Sequence, residues 1–486
     1  MKGGVSVKEI LEEVIDFLRK EKVDYADVRY ERHLEEEIVN ENGFLKTYTF
    51  SEDQGVGIRV LKNGGWGFSS TDRLSKDNIL RSARFALDIA ETSSKRKGEG
   101  RVAEEPPHVD SYKTRYEKDP FEISKKEKVE LLKEAVMKMK EVEGIVKASG
   151  SLRFRKIQKL FLNTDGSVIE QEIVISGGGI EAFSAGKEGF QKRSYPSSFG
   201  GDFATRGWEF IESMDLMGKA EETAQEAVSL LSAPEIEPGE YDIIIGGSQL
   251  ALQIHESCGH PSELDRVFGS EISFAGGSFL TPDKLGRLKY GSEIVNIVAD
   301  ATVEGGLGSF GYDDEGVKAQ KSFIVKEGIF VGYLMDRESA AKLGLRSNGA
   351  GRASSWNRIP IVRMTNINLL PGNMTLDELI SGIDYGFLLE TNKSWSIDDM
   401  RVNFQFATEI AYEIKGGRLT GKIFRNPVYY GTTVDFWNSC DGIANEKYWR
   451  VWGIPNCGKG QPIQVMHVGH GASPARFRKV KVGVAK

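Results

Sequence analysis

The sequence predicts an α+β fold, in which two N-terminal α/β segments of antiparallel sheet with covering helices precede a β-rich C-terminal domain. Three observations favour this fold class. The chain of 486 residues is too long for one ordinary hydrophobic core. Helical and strand patterns alternate before residue 95, and the same sequence of patterns begins again after residue 120. From Tyr241 onward, short apolar segments separated by glycine turns predominate, as is typical of a β-rich domain.

The first α/β segment is predicted over residues 1–95. Its predicted elements are a helix over 7–22, a strand hairpin within 24–60 and a helix over 76–92. Asn42-Gly43 favours a tight hairpin turn, and Ser75 is the expected N-cap of the second helix. Residues 96–120 are charged and rich in glycine and proline, so we expect a linker there.

The second α/β segment is predicted over residues 121–233. Its predicted elements are a helix over 125–143, strands within 145–185 and a helix over 209–232. Ser124 and Glu127 form a capping box in front of the first helix. Residues 176–204, rich in glycine, serine and aromatic residues, are typical of bent strands and loops. The β-rich domain is then predicted over 234–486, after a stretch with two prolines.

Composition excludes several classes of protein. The chain is 40% hydrophobic and 28% charged, with no apolar run long enough to span a membrane. A net charge of −7 argues against nucleic-acid binding. The first 22 residues lack the features of a signal peptide, and three cysteines do not make a disulfide framework. We therefore expect a cytoplasmic protein with neither a membrane nor a nucleic acid as partner.

One segment carries chemistry, because it places His255, Glu256 and His260 together in a chain with only six histidines. Imidazole is the commonest side-chain metal ligand, and a neighbouring carboxylate is the base that a hydrolytic metal site needs. On a regular helix, side chains five positions apart point about 140° away from each other, so the two rings could not share an ion. Gly259 and Pro261 favour a distortion there, and a π-type turn would bring both rings to one side.

A hydrolytic zinc site usually takes three protein ligands, so a third is expected. Cys457 is the first candidate: we expect it on a loop, where the nearby Lys459 would favour its thiolate. Other candidates are Glu263, Asp265, His467 and His470. Cys258 is more typical of a small buried hydrophobic residue.

The resulting hypothesis is a zinc site on His255, His260 and Cys457, in which Glu256 accepts a proton from the water that the metal activates. This ligand set predicts hydrolysis of a peptide bond or of a related amide. Zinc follows from ligand softness, and such a site also accepts iron or cobalt.

Other polar segments have an ordinary interpretation. A solvated turn is favoured over a cation site for Asp313-Asp314-Glu315, and surface exposure is favoured for His467 and His470. Tyr429 and Tyr430 could stabilise an oxyanion, but exposed aromatic residues on a strand equally suit subunit contacts. Residues 176–204 and 270–280 fit two interpretations equally well. They are either disordered, or they cover the substrate cleft or offer a strand edge to an extended peptide.

The motif His255-Glu256-x-x-Gly259-His260-x-x-Glu263-x-Asp265 resembles the HExxxH signature of the TldD/PmbA family of metallopeptidases. Further segments resemble the family in the same order along essentially the whole chain: 24–29, 63–68, 308–316, 363–366 and 457–459. The resemblance implies three parts, with one zinc ion per chain held at the positions of His255, His260 and Cys457, and Glu256 as base.

It also implies a motif-bearing, TldD-like subunit that pairs with itself or with a motif-lacking PmbA (TldE) paralogue. Such complexes are associated with cleaving unfolded or short peptides inside an enclosed cavity. Two alternatives remain, namely an amide hydrolase that matures modified peptides and a non-catalytic peptide-binding partner.

Overall fold

A computed structural model describes residues 6–96, 98–187, 189–460 and 463–484. The α+β fold class is confirmed, with a strand-rich C-terminal domain. The first elements are α1 (Val7–Lys20), β1 (Tyr25–Glu41), β2 (Phe44–Lys62), β3 (Gly65–Thr71), α2 (Lys76–Ser94) and β4 (Val109–Lys113). Helix α1 begins in a capping box of Ser6 and Glu9, and Asn42 and Gly43 make the β1–β2 turn with positive φ angles of 52° and 87°.

The next elements are α3 (Lys125–Lys140), β5 (Ile145–Asn163), β6 (Val168–Gly186), β7 (Gly189–Tyr195), β8 (Asp202–Ala204), α4 (Trp208–Ser213) and α5 (Leu216–Ser229). One helix was expected over 209–232, but the chain breaks it at Asp215. This residue takes a left-handed conformation, with φ 48°, and its side chain accepts a hydrogen bond from Gly218 N at 3.1 Å. Asp215 thus ends one helix and caps the next. Much of 176–204 lies in β6, β7 and β8 rather than in loops.

Strands from both α/β segments form one eight-stranded sheet, in the order β3-β2-β1-β5-β6-β4, with β7 and β8 also paired to β6. The antiparallel β1–β5 pairing joins the segments and runs from Asp27↔Asn163 to Glu41↔Ser149. The stretch 96–120, expected as a linker, contributes β4, which pairs in parallel with β6. The two predicted segments therefore share a backbone hydrogen-bond network rather than having separate sheets.

The C-terminal elements are β9 (Gly239–Ile245), α6 (Gly247–Ile254), α7 (Leu264–Val267), β10 (Ile297–Asp300), β11 (Lys321–Lys326), β12 (Ile329–Phe330), α8 (Arg337–Lys342), β13 (Gly351–Arg352), β14 (Ile361–Val362), β15 (Ile367–Leu369), α9 (Leu376–Ser381), β16 (Tyr385–Ile397), β17 (Asn403–Lys415), β18 (Arg418–Arg425), β19 (Pro427–Thr432), α10 (Thr433–Asn438), β20 (Cys440–Ile443), β21 (Arg450–Lys459), β22 (Gln464–Ala472) and β23 (Ala475–Val484). The chain order β9, α6 and then many short strands agrees with the sequence pattern.

The main C-terminal sheet runs β16-β9-β23-β19-β17-β18, and an additional β16–β17 pairing closes it into a barrel. Among the described residues, β21 pairs only with β22, and β10, β11, β12 and β15 form a further sheet. A continuous cluster of buried apolar side chains, including Leu250, Ile254 and Phe406, packs α6 against the barrel. Helix α6 is therefore held by burial of its apolar residues, each stabilising by roughly 1.5–3 kcal/mol. Within the described residues, no helix is long and apolar enough to cross a membrane.

Candidate metal centre

Helix α6 changes its hydrogen-bond pattern where the histidine motif begins. The N–H of His260 donates to the carbonyl oxygen of His255, five residues back, and residues 255–259 form a π turn. A short 3₁₀ turn follows over 260–262. The distortion predicted from the five-residue spacing is thus confirmed, and the imidazole centroids of His255 and His260 lie only 4.8 Å apart. The helix is capped by Gly246 and not by a serine side chain.

The cause of the distortion differs from the one expected. Gly259 and His260 both have right-handed helical backbone angles, with φ −66° and −56°. The π turn therefore depends neither on the conformational freedom of Gly259 nor on the backbone restriction that Pro261 places on His260. Gly259 is needed for space instead, because a Cβ atom there would lie 2.3 Å from Sδ of the buried Met364. The π turn presses its backbone against this side chain.

Three potential metal ligands converge at this turn. One ligand atom from each of His255, His260 and Cys457 lies within 4.8 Å of the others, and all three residues are buried. Sγ of Cys457 lies 3.8 Å from Nε2 of His260. Two imidazole nitrogens and a thiolate are a ligand set that suits zinc, so the donors fit this metal.

Cys457 lies on strand β21, at an irregularity in its pairing with β22, rather than on the expected loop. Burial raises the pKa of the thiol, but His255, Arg363 and His260 outweigh it and hold the pKa well below its ordinary value. The guanidinium of Arg363 also donates to the carbonyl oxygen of Cys457 at 2.6 Å. Lys459 was expected to supply the positive charge beside the thiolate. Its ammonium group instead binds Asp265 at 2.7 Å.

His470 determines which nitrogen of His255 is free. Nδ1 of His470 is 3.2 Å from the carbonyl oxygen of Ile367, which can only accept, so this nitrogen carries a proton. Nε2 of His470 then accepts from Nδ1 of His255 at 2.8 Å, and Nε2 of His255 keeps its lone pair for a metal. Burial holds the pKa of His470 well below its ordinary value, so the ring is neutral as this relay requires.

Glu263 has the same role behind His260. Its Oε2 accepts from Nδ1 of His260 at 3.0 Å, which leaves Nε2 of that ring facing Cys457. Arg266 donates to the same carboxylate oxygen at 3.3 Å, and Lys459 lies 3.6 Å from it. Of the alternative ligands, Glu263 and His470 therefore support the histidines, and Asp265 binds Lys459.

Glu256 has a partner on each carboxylate oxygen. The indole nitrogen of Trp395 donates to Oε1 at 2.9 Å, and Nη1 of Arg401 donates to Oε2 at 2.5 Å. All three residues line a cavity of about 480 Å³ together with the three potential ligands. The other lining residues are Phe199, Leu252, Ser396, Ile397, Ile454, Asn456 and Gly458. A carboxylate, a cation and a metal-ligand cluster therefore face the same space.

The remaining residues singled out from the sequence lie elsewhere. His467 contacts Arg155, with 3.3 Å between Nδ1 and Nη1, and is not at the cavity. Tyr429 is buried and its hydroxyl contacts Gln249 and Gln253 of α6, whereas Tyr430 is partly exposed. Cys258 is buried, as expected, and accepts a hydrogen bond from a tyrosine hydroxyl.

The solvated turn expected at Asp313-Asp314-Glu315 is wrong, because all three residues are buried. Glu315 accepts from Arg59 Nη1 at 2.8 Å, and Asp314 accepts from Lys159 at 2.7 Å. These cations come from the N-terminal sheet, so Asp314 and Glu315 pair with protein charges across the contact between the sheet and the C-terminal domain, whereas Asp313 accepts from backbone N–H groups. Such partners are distant in the chain and leave no local pattern.

Sequence reasoning missed Trp395, Arg401 and Arg363 at the site. Trp395 and Arg401 are separated from Glu256 by 139 and 145 residues, and Arg363 precedes Cys457 by 94. A cation in a turn between strands is common on protein surfaces. Pairing of β16 with β17 in the barrel places Trp395 and Arg401 beside Glu256, and Arg363 reaches the site from the segment that follows β14.

Family models match three parts of the chain. Residues 26–90 match PmbA/TldA metallopeptidase domain 1, residues 118–231 match the central domain, and residues 238–483 match the C-terminal domain. A protein named metalloprotease from Methanothermobacter thermautotrophicus is 31% identical over 465 residues, which cover 96% of each chain. A protein named zinc metalloprotease TldD homolog from Saccharolobus solfataricus is 25% identical, over 94% of this chain and 96% of that protein. The crystal structure of TldE from Thermococcus kodakarensis has a TM-score of 0.72 at 17% identity, covering 98% and 100% of the two chains.

Proposed function

The chain belongs to the TldD/PmbA family of metallopeptidases, and we propose that it is a zinc-dependent peptidase acting on unfolded or short peptides. The observation that carries the proposal is the convergence of His255, His260 and Cys457 beside Glu256 in one cavity. The two rings are held in the tautomers that a metal needs, by His470 and Glu263. A support of this kind behind a ligand histidine is typical of functional metal sites.

In the proposed reaction, His255, His260 and Cys457 hold one zinc ion, which when bound supplies a Lewis acid for water and for the scissile carbonyl. Glu256 takes a proton from the attacking water and later passes it to the leaving amine nitrogen. Trp395 and Arg401 orient the carboxylate through one hydrogen bond to each oxygen. Apolar side chains in the cavity wall, including the buried Leu252 and the partly buried Ile397, would limit the access of bulk water once a substrate is bound.

Two strand edges beside the cavity support an extended substrate. Along Ser394–Ile397, β16 pairs with β17 on one side and has no strand partner on the other among the described residues. Cys457 and Gly458 of β21 similarly pair only towards β22 within the described part of the chain, and Asn456 lies in the irregularity and has no strand partner there. Unpaired main-chain groups bind extended peptides by strand addition, largely independently of side-chain identity. Unfolded or short peptides fit such a site, whereas a folded protein does not.

We also propose that a second subunit, either a second copy or a motif-lacking paralogue, covers the mouth of the cavity. Ile272, Phe274 and Ile463 are 69%, 47% and 60% exposed, and Met400 is 44% exposed. Phe274 packs near Gly460, three residues past Cys457 in the chain, and Met400 directly precedes Arg401, which lines the cavity. Exposed apolar groups of this kind favour burial in an interface. Light scattering of the chain alone and with such a paralogue tests this, with Phe274→Asp expected to weaken the association.

Replacing Glu256 by Gln tests the peptidase. Hydrolysis of an unfolded casein substrate should be lost while one zinc ion per chain is retained, since the carboxamide cannot accept the proton and is not a ligand. Mass spectrometry of the products and elemental analysis of the metal measure the two effects. Glu240→Gln, at an exposed position in the same domain, is the matched control. Full activity of the Glu256 variant would exclude the mechanism.

A further inference from the structure

Arg401 is held in an unusual backbone conformation at the turn between β16 and β17. Its φ angle of 64° lies in the left-handed region, which is unfavourable for a residue with a side chain. Its N–H donates to the carbonyl oxygen of Asp398 at 2.9 Å, and its own carbonyl oxygen accepts from the hydroxyl of Thr433 at 2.8 Å. The strained backbone of Arg401 is therefore stabilised by hydrogen bonds on both sides. In this conformation the guanidinium lines the cavity.

The guanidinium of Arg401 has more donors than its known partner uses. Nη1 binds Glu256 and Nε is fully buried, whereas Nη2 makes no hydrogen bond among the described residues. A guanidinium carries five N–H groups, so its outer N–H groups remain available to a ligand in the cavity. His255 and His260 line the same cavity. The unused donors therefore indicate a polar group of the substrate close to the ligand histidines.

We propose that Arg401 is a further catalytic residue, which donates hydrogen bonds to the oxygen of the scissile carbonyl as this oxygen becomes negative; this inference rests on the proposed peptidase function. Water forms a bond to the carbonyl carbon, the π electrons of the C=O bond move to oxygen, and Glu256 takes the proton that the water loses. The charge on Glu256 disappears as the charge on the substrate oxygen appears. The anion that Arg401 binds thus changes from Glu256 to the substrate oxygen within the same cavity.

The second half of the reaction reverses this exchange. The electrons on oxygen re-form the C=O bond, the C–N bond breaks, and Glu256 gives its proton to the amine nitrogen. Glu256 is then an anion again and re-forms its ion pair with Arg401. No oxidant, reductant or further reactant is needed. Because the guanidinium faces one negative charge throughout, it is stabilised at each stage, and its donors act most strongly on the transition state.

A comparison with Trp395 distinguishes stabilisation of the substrate oxygen from simple positioning of Glu256. Its indole N–H binds the other oxygen of Glu256 and is neutral, so Trp395→Phe removes an orienting contact without removing a cation. A residue that only positions Glu256 should behave in the same way as Trp395. A residue that also stabilises the substrate oxygen should affect the binding of a tetrahedral anion, whereas Trp395 should not.

The experiment compares Arg401→Gln and Arg401→Lys with Trp395→Phe in zinc-loaded protein. A phosphinic peptide, whose tetrahedral anion resembles the transition state, is titrated by calorimetry, and kcat and KM are measured with an unfolded peptide. Arg401→Gln should lower kcat by about 100- to 1,000-fold with little change in KM, as for loss of an oxyanion donor. Its affinity for the phosphinic peptide should fall by a similar factor, and Arg401→Lys should recover part of both. Trp395→Phe should lower kcat but bind the phosphinic peptide like the wild type.

Equal phosphinic-peptide affinity in Arg401→Gln and wild type would overturn the proposal and leave Arg401 as a positioning residue. An unchanged kcat would overturn it as well. Zinc content and circular dichroism show whether each variant is folded, and Arg401→Lys provides the comparison if the glutamine variant is not. A wild-type protein that cleaves no peptide would contradict the proposed function, whereas the phosphinic-peptide affinities would still decide the role of Arg401.

Discussion

His470 lies directly behind His255, with its Nε2 accepting a hydrogen bond from Nδ1 of His255 at 2.8 Å. Its other ring nitrogen donates to the carbonyl oxygen of Ile367 at 3.2 Å, so both rings are held in one tautomer by a backbone group of β15. A neutral imidazole in this place performs the task that a carboxylate performs behind His260. The two potential ligands thus differ in the charge of the group behind them, which is a neutral imidazole for His255 and a carboxylate for His260.

Replacing His470 by Phe should weaken zinc binding by about 10- to 100-fold, because His255 loses the acceptor that fixes its tautomer. Competition with a chromogenic chelator measures the change. His467→Ala is the matched control, since His467 lies on the same strand and contacts Arg155 instead. A His470 variant with the zinc affinity of the wild type would show that the relay does not tune the site.

Gly259→Ala should disturb the π turn, because the added Cβ would lie 2.3 Å from Sδ of Met364. Overpacking of this kind costs about 1–3 kcal/mol, and it should also weaken zinc binding by moving His260. Urea denaturation and zinc titration measure the two effects. The double variant Gly259→Ala, Met364→Ala should recover much of the zinc affinity, since the space is restored.

Gly458→Ala provides the control for the glycine variant, because nothing lies within 4 Å of a Cβ at this position beside Cys457. It should leave both stability and zinc affinity nearly unchanged. If Gly259→Ala behaved in the same way, close packing against Met364 would not be the reason for glycine in the π turn.

Arg59→Met should destabilise the folded chain by about 3–5 kcal/mol, since it leaves two carboxylates buried without their cation. Arg59 binds Asp27 at 2.6 Å within the N-terminal sheet and Glu315 at 2.8 Å in the C-terminal domain. Arg32→Met, which breaks an exposed pair with Glu52, should cost about 0–1 kcal/mol. Urea denaturation compares the two variants, and equal losses would mean that the buried network is no more important than a surface pair.

Local patterns were sufficient for much of the fold. Apolar spacing predicts α1 to α3 closely, and the five-residue histidine spacing predicts the π turn because a regular helix would separate the rings. Ser75 and Ser124 are the expected N-cap residues, but Ser75 makes no side-chain cap hydrogen bond, and Ser124 accepts from Glu127 N without the reciprocal bond of the predicted capping box. What failed depends on contacts between distant residues. The single N-terminal sheet arises from the β1–β5 pairing, whose strands are over a hundred residues apart, and alternation of apolar and polar residues does not specify a partner strand.

The residues of the site show the same division between local patterns and contacts from distant parts of the chain. Both histidines and Glu256 lie in one short segment, whereas His470, Trp395 and Arg401 join it from other strands and turns. The neighbour of Cys457 in sequence, Lys459, suggested the wrong source of positive charge, because strand alternation and the bulge direct its side chain to Asp265. Proximity in the chain indicates proximity in space only within a helix turn or a hairpin.

Asp336 should make the folded chain less stable as the pH rises. Burial raises the pKa of its carboxyl group to about 7, with the charges of Glu315 and Asp265 adding to the effect. Below its ordinary pKa of 3.8, folded and unfolded chains both hold the proton, so Asp336 contributes no pH dependence. Between 3.8 and about 7 the unfolded chain releases the proton first, and stability falls by up to about 1.4 kcal/mol per pH unit.

Asp336→Asn removes this ionisation but keeps the helix cap, because the amide oxygen can still accept from the N–H of Ser339, which is 2.7 Å from the carboxylate. Relative to the wild type, the variant should therefore gain stability as the pH rises from about 4 to 7, and the gain should stay constant above that range. Urea denaturation at a series of pH values measures it. Asp215→Asn, at an exposed cap that binds Gly218 N, is the matched control for replacing a capping carboxylate by an amide. A pH-independent difference between Asp336→Asn and the wild type would show that the buried carboxyl group does not take up a proton in this range.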